Sequence, residues 1–211
     1  MVQEYITRNW AYPVAFRLNL NKARSGNLQA MDKEKERFLN LVNSFAEPPK
    51  AIITDSQAMD IMWRWVPDNI NLTTFSIIMI NYMSRGRLNL FVKGLEAFKR
   101  LKEEDKILIV EACNHSRIAE DIGTVQIPNY LQKRIPGITI EHNFGREFYD
   151  NDRIKEYKLI IHCGGCMITS QKLSARIRDL INIGVPFTNY GLVLSYMQGE
   201  EALKKVLKIW E

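Results

Sequence analysis

Four short apolar runs punctuate the second half of the chain: "KILIV" (Lys106–Val110), "ITI" (Ile138–Ile140), "LIIH" (Leu159–His162) and "VPF" (Val185–Phe187). They are near-continuous in apolar residues rather than alternating, which marks strands buried on both faces, and helical stretches separate them. Consecutive strands joined through helices pair in parallel, because the chain crosses over the sheet between them. "IPNYLQKRI" opens one such helix with Pro128 in its first turn, where a missing N–H costs nothing. "TSQKLSARIRDLINIG" is a second, with Thr169 or Ser170 as its cap and Gly184 as its stop. Gly199 separates two closing helices, the last carrying Leu203, Val206, Leu207 and Trp210 on one face.

The first half is less regular. Val14–Leu20 is a possible strand. From Asp32 a helix follows, with Phe38, Leu41, Val42 and Phe45 at i, i+3, i+4 and i+7, closed by Pro48-Pro49. "AIIT" (Ala51–Thr54) is a short buried strand, and "DSQAMDIMWRWV" is a helix ended before Pro67. Thr73–Tyr82 and Leu90–Leu101 are two more helices, divided by "SRGR". The expected fold class is α/β, with two small parallel-sheet domains whose strands are covered by helices.

Composition removes several classes of function. The chain has 211 residues and a net charge of +5, but its basic residues are dispersed among acids, as in "DKEKER" (Asp32–Arg37). That run is expected to be a solvated helix face, and without a basic stripe interleaved with aromatics no nucleic-acid partner is expected. The longest apolar runs, such as Phe75–Ile80, fall far short of the roughly 20 residues of a membrane helix. The start, "MVQEYITRNW", has no apolar core of signal-peptide length, so no membrane association and a cytoplasmic location are expected. No G-x-x-x-x-G-K-[ST] loop occurs, so triphosphate chemistry is not expected of these residues.

The chemistry concentrates at strand ends. Cys113, His142 and Cys163 each follow on an expected strand, and in open parallel sheets ligands sit at the carboxyl ends of strands. Two of the three cysteines form Cys163-Gly-Gly-Cys166, a spacing that lets both sulfurs face one ion while the glycines turn N–H groups toward it. Three readings of the residues stand side by side. A dithiol for thiol–disulfide exchange needs only this pair; a structural zinc site uses Cys113, His115, Cys163 and Cys166; an iron–sulfur cluster takes the three thiolates and leaves one iron for another ligand. All three histidines, His115, His142 and His162, lie beside a cysteine or at a strand end.

"EACNHS", "DIGTVQIPNYL", "HCGGCMITSQ" and "GVPFTNYGLVLSYMQG" resemble the C-terminal half of the HydF family, the scaffold proteins of [FeFe]-hydrogenase maturation. The family pattern is C-x-H, a gap of about fifty residues, and H-C-x-x-C; here 46 residues separate His115 from His162. "ITDSQAMD" (Ile53–Asp60) and "LTTFSI" resemble the family's dimerisation domain. The resemblance implies a dimerisation domain over 32–103, a cluster-binding domain over 104–211 and an unmatched segment over 1–31. It implies a [4Fe-4S] cluster on Cys113, Cys163 and Cys166 at the carboxyl ends of the second sheet. It also implies a transient diiron precursor carried to apo-[FeFe]-hydrogenase, with radical-SAM maturases as further partners. Glu120, seven residues beyond Cys113, is the favoured fourth ligand, with His115, His162 and His142 as the other candidates. The family's GTPase domain has no counterpart in these residues, so a scaffold rather than an enzyme is expected. A homodimer is expected too, through apolar surface around Trp63, Trp65 and the Phe75–Tyr82 helix.

Overall fold

The computed structural model of the chain describes residues 2–112, 121–145 and 147–211. They form two compact units, Met1–Pro49 and Lys50–Glu211.

The first unit holds α1 (Val2–Arg8), α2 (Leu20–Ala23) and α3 (Leu28–Asn43). α3 starts earlier than Asp32 because Asn27 caps it, its side chain accepting the Ala30 N–H at 3.2 Å. The run Asp32–Arg37 is not uniformly a solvated face, since Glu34 is buried. Its carboxylate accepts the Asn19 N–H at 2.8 Å and pairs with Arg37 at 2.6 Å, whose guanidinium lies 4.2 Å from the Phe16 ring centroid. Val14–Leu20 forms no strand. Among the described residues of this unit there is no second strand to complete a ladder, and a lone extended segment leaves its backbone groups unpaired.

The second unit opens with β1 (Ala51–Thr54), a 3-10 turn (Ser56–Ala58), α4 (Met59–Trp65), β2 (Asn71–Thr74), α5 (Phe75–Met83) and α6 (Leu88–Lys99). It continues with β3 (Lys106–Glu111), a π-helical turn (Ile122–Gln126), α7 (Ile127–Arg134), β4 (Thr139–Phe144), α8 (Asn151–Ile154) and β5 (Leu159–His162). α9 (Ser170–Ile183), β6 (Phe187–Asn189), α10 (Tyr190–Met197), α11 (Glu200–Leu207) and a 3-10 turn (Lys208–Trp210) complete it. β1 and β2 pair in parallel, and the remaining strands form a parallel sheet in the order β4-β3-β5-β6. The α/β class with two helix-covered parallel sheets is therefore what the chain adopts. Both sheets belong to this one unit, and position 103/104 lies inside it, between α6 and β3.

Three local expectations change. Asn71–Thr74 is a strand, where the sequence placed the start of a helix at Thr73, because the strand runs without a loop into α5. His142 lies within β4, opposite Ile109, rather than after the strand. Trp65 is buried in the core, whereas Trp210 is 37% exposed, since α11 ends at Leu207 and a tighter turn rotates Trp210 off its apolar face.

The core explains why the strands read as continuous. Ile107–Val110 of β3 and Leu159–Ile161 of β5 are fully buried, each large side chain contributing about 1.5–3 kcal/mol. α6 closes one face by pressing its backbone onto β6. A methyl at Gly94 would sit 1.7 Å from the Phe187 carbonyl oxygen, and one turn away Phe91 meets Phe187 edge-on at 4.9 Å. Two strand-to-helix joints then come together. Thr74 caps α5 through the Ile77 N–H, and Asn189 caps α10 through the Gly191 N–H at 2.8 Å. Gly191 admits no side chain, because a Cβ would meet Thr74 Oγ1 at 2.6 Å. The "TNYG" motif is thus a joint between the two sheets' exits. Among the described residues no helix is long and apolar enough to cross a membrane.

Candidate metal centre

The parallel register sets the site. β3 and β5 are neighbours, with Val110 opposite His162, so the two chains leave the sheet side by side. The Cys163 N–H donates to the Val110 carbonyl at 2.9 Å, extending the ladder by one bond. Cys163 Sγ in turn accepts the N–H of Ala112 at 3.3 Å and of Gly165 at 3.4 Å. Ala112 is the residue before Cys113 in the chain. Gly165 turns its N–H to the sulfur with φ +69°, a left-handed conformation that glycine adopts without steric cost. Donors aimed at sulfur stabilise the thiolate over the thiol, which is the state a metal requires.

His162 is buried and both ring nitrogens are engaged. Nε2 lies 3.0 Å from Arg176 Nη1 and Nδ1 lies 2.7 Å from the Cys163 carbonyl oxygen. A guanidinium only donates, so Nε2 is the acceptor and the neutral ring carries its proton on Nδ1, which donates to the carbonyl. His162 therefore holds the backbone of the cysteine loop. Asn189 secures the preceding turn, its Nδ2 donating to the His162 carbonyl at 3.3 Å and to Ser76 Oγ at 3.2 Å. His142 donates from Nε2 to the Gly123 carbonyl at 2.9 Å and stacks on Phe144 at 5.3 Å.

Arg176 is the residue that sequence reasoning missed. It is 3% exposed, on the buried face of α9 with Leu173, Ile177 and Leu180. Burial pushes its pKa down, opposed by the charges of Cys163 and Glu147. The available signal was spacing: Leu173, Arg176, Ile177 and Leu180 form an i, i+3, i+4, i+7 stripe in which one core position is an arginine.

The structure thus places His162 at the end of β5 and Cys163 and half-buried Cys166 on the loop leaving it. Cys113, His115 and Glu120 lie outside the described residues, and among the described ones no three His, Cys, Asp or Glu side chains converge on a point. The chemistry of these side chains would suit a soft, thiolate-preferring metal group: two cysteine sulfurs past the carboxyl end of a parallel strand, backbone N–H groups on one of them, and a buried arginine behind the adjoining histidine.

Comparison with known families gives two matches. Residues 89–209 match the hydrogen maturase F tetramerization domain, and residues 25–84 match the hydrogen maturase F dimerization domain. No curated protein matches the chain.

Proposed function

The chain belongs to the hydrogen maturase F family, which acts in hydrogenase maturation, and from that premise we propose that it is a cluster-bearing scaffold that carries a diiron precursor to apo-[FeFe]-hydrogenase. The observation that carries this reading is the pair of N–H donors on Cys163 Sγ, one of them from the residue preceding Cys113. The thiolates of Cys113, Cys163 and Cys166 would hold a [4Fe-4S] cluster, with Glu120 as a weak fourth ligand whose hard oxygen exchanges readily. When bound, the cluster supplies one iron open to a bridging ligand of the diiron cargo. The protein's own part is to hold the sulfurs. His162 and Asn189 fix the backbone on either side of the strand exit, and Gly165 keeps its N–H turned toward the Cys163 sulfur. Apo-hydrogenase and the radical-SAM maturases that supply the cargo are the partners of this scheme.

The matched domains support oligomerisation, and we extend this to a homodimer through α5, where Phe75 and Tyr82 remain 45% and 56% exposed. Light scattering should give a mass above the 24.6 kDa of one chain; a concentration-independent monomer would refute the pairing. The cluster is tested by anaerobic reconstitution with iron and sulfide. The expected product is a brown protein holding the two elements in equal amounts. Stoichiometric zinc with no iron uptake would replace the proposal with a zinc-stabilised interaction module.

A further inference from the structure

Three buried residues form a continuous hydrogen-bonded line behind the cysteine loop: Arg176 and His162, each 3% exposed, and Cys163, 4% exposed. Arg176 Nη1 donates to His162 Nε2 at 3.0 Å, and His162 Nδ1 donates to the Cys163 carbonyl at 2.7 Å. We propose that Arg176 is a positioning residue for this site, locking His162 in the Nδ1–H tautomer that holds the Cys163 backbone and presenting a buried positive charge to an anionic thiolate-bound metal group.

The first role follows from donor inventory. Imidazole in water favours its proton on Nε2, and that tautomer would point an N–H at the guanidinium and a lone pair at a carbonyl oxygen. Both contacts would be repulsive; the Nδ1–H form makes both attractive. Removing the guanidinium removes one of the two contacts that specify the tautomer and leaves the Cys163 carbonyl alone to favour Nδ1–H.

The second role follows from solvation. Burying a guanidinium costs several kcal/mol unless negative charge is near, and a neutral imidazole supplies none. Glu147 contributes from a side chain that is 92% exposed, where solvent screens it. The guanidinium lies one hydrogen-bonded residue behind the Cys163 backbone, so a negative thiolate-bound group on that loop would offset part of this cost. A cation so placed favours whichever state of the metal group is more negative, which is the reduced one. This second role rests on the proposed cluster; the first does not.

The experiment uses Arg176→Lys and Arg176→Met in the full chain. In metal-free wild type, imidazole 15N spectra, assigned with His162→Gln, should show His162 as the Nδ1–H tautomer, and Arg176→Met should shift its population toward Nε2–H; an unchanged Nδ1–H ring in that variant refutes the lock. An Nε2–H ring in wild type overturns the positioning role, and that measurement stands even if the methionine variant fails to fold. In reconstituted protein, Arg176→Met should lower the one-electron reduction equilibrium about tenfold, a negative shift of about 59 mV. Arg176→Lys should recover most of it by restoring the charge. Equal potentials in wild type and Arg176→Met refute the electrostatic role. A wild type that binds no cluster refutes the proposed function instead, leaving the tautomer result intact.

Discussion

Replacing Gly94 by alanine adds one methyl where, among the described glycines, a Cβ would meet the closest neighbouring atom. The new Cβ would lie 1.7 Å from the Phe187 carbonyl oxygen and 2.4 Å from its carbon, against ordinary contacts of 3.4–4 Å. Neither atom can rotate away, because both belong to β6, so α6 must retreat by on the order of 1.5–2 Å. A gap of about 0.5–1 Å already forfeits a quarter to a half of each dispersion contact. Phe91, Leu95 and Phe98, all buried on the same face of α6, would therefore lose much of their packing. Overpacking costs about 1–3 kcal/mol and more where backbone must move, while alanine returns up to about 1 kcal/mol in helix propensity. With the lost packing of Phe91, Leu95 and Phe98 added, the net expectation is a loss of about 2–4 kcal/mol. With a urea m-value of about 2–3 kcal/mol/M, the midpoint should fall by about 1 M or more. Equilibrium urea unfolding followed by far-UV circular dichroism measures this, with exposed Lys93→Ala as a control that should stay within about 0.5 kcal/mol. A midpoint for Gly94→Ala equal to or above that of wild type would refute the packing argument.

Cys113→Ser, Cys163→Ser and Cys166→Ser should each remove most of the cluster after reconstitution, whereas Glu120→Ala should retain it and alter its EPR signal. An unchanged spectrum in Glu120→Ala, together with a changed one in His115→Ala or His142→Ala, would assign the fourth ligand to a histidine. Asn189→Ala loses both the α10 cap and the donor to the His162 carbonyl, and should cost about 1–3 kcal/mol. Asn189→Asp keeps the cap acceptor and should recover part of that loss in thermal unfolding; an alanine variant as stable as wild type would contradict the joint. Glu141 accepts from Tyr157 at 2.6 Å and pairs with Lys106 and Arg153, which holds its carboxyl down to about 2 from an ordinary 4.5. Its contribution is therefore fully present above pH 4.5 and is lost as the pH falls toward 2. Glu141→Gln should be less stable by about 1–2 kcal/mol at pH 7, a value discounted for partial exposure, and the gap should close in acid unfolding near pH 2. A gap that persists there would show that charge is not its source.

The sequence by itself determined what depends on local dihedrals and periodicity. The apolar runs of β3 and β5, the Thr169 cap and left-handed Gly184 stop of α9, and the glycine turn between Cys163 and Cys166 are all properties of neighbouring residues. The presence of thiols just past a strand was legible for the same reason. What only the tertiary structure decided is everything that depends on which strands become neighbours. Val14–Leu20 has strand-like residues but no partner strand among the described residues of its unit, so it forms none and runs into α2 at Leu20, while Asn71–Thr74 becomes a strand because β1 lies beside it. The order β4-β3-β5-β6 is equally non-local. It brings the Ala112 N–H to a sulfur 51 residues away, and it carries an arginine whose charge would suit solvent into the interior beside His162. Pairing energy and desolvation are set by partners distant in sequence, and no window along the chain contains both members of such a pair.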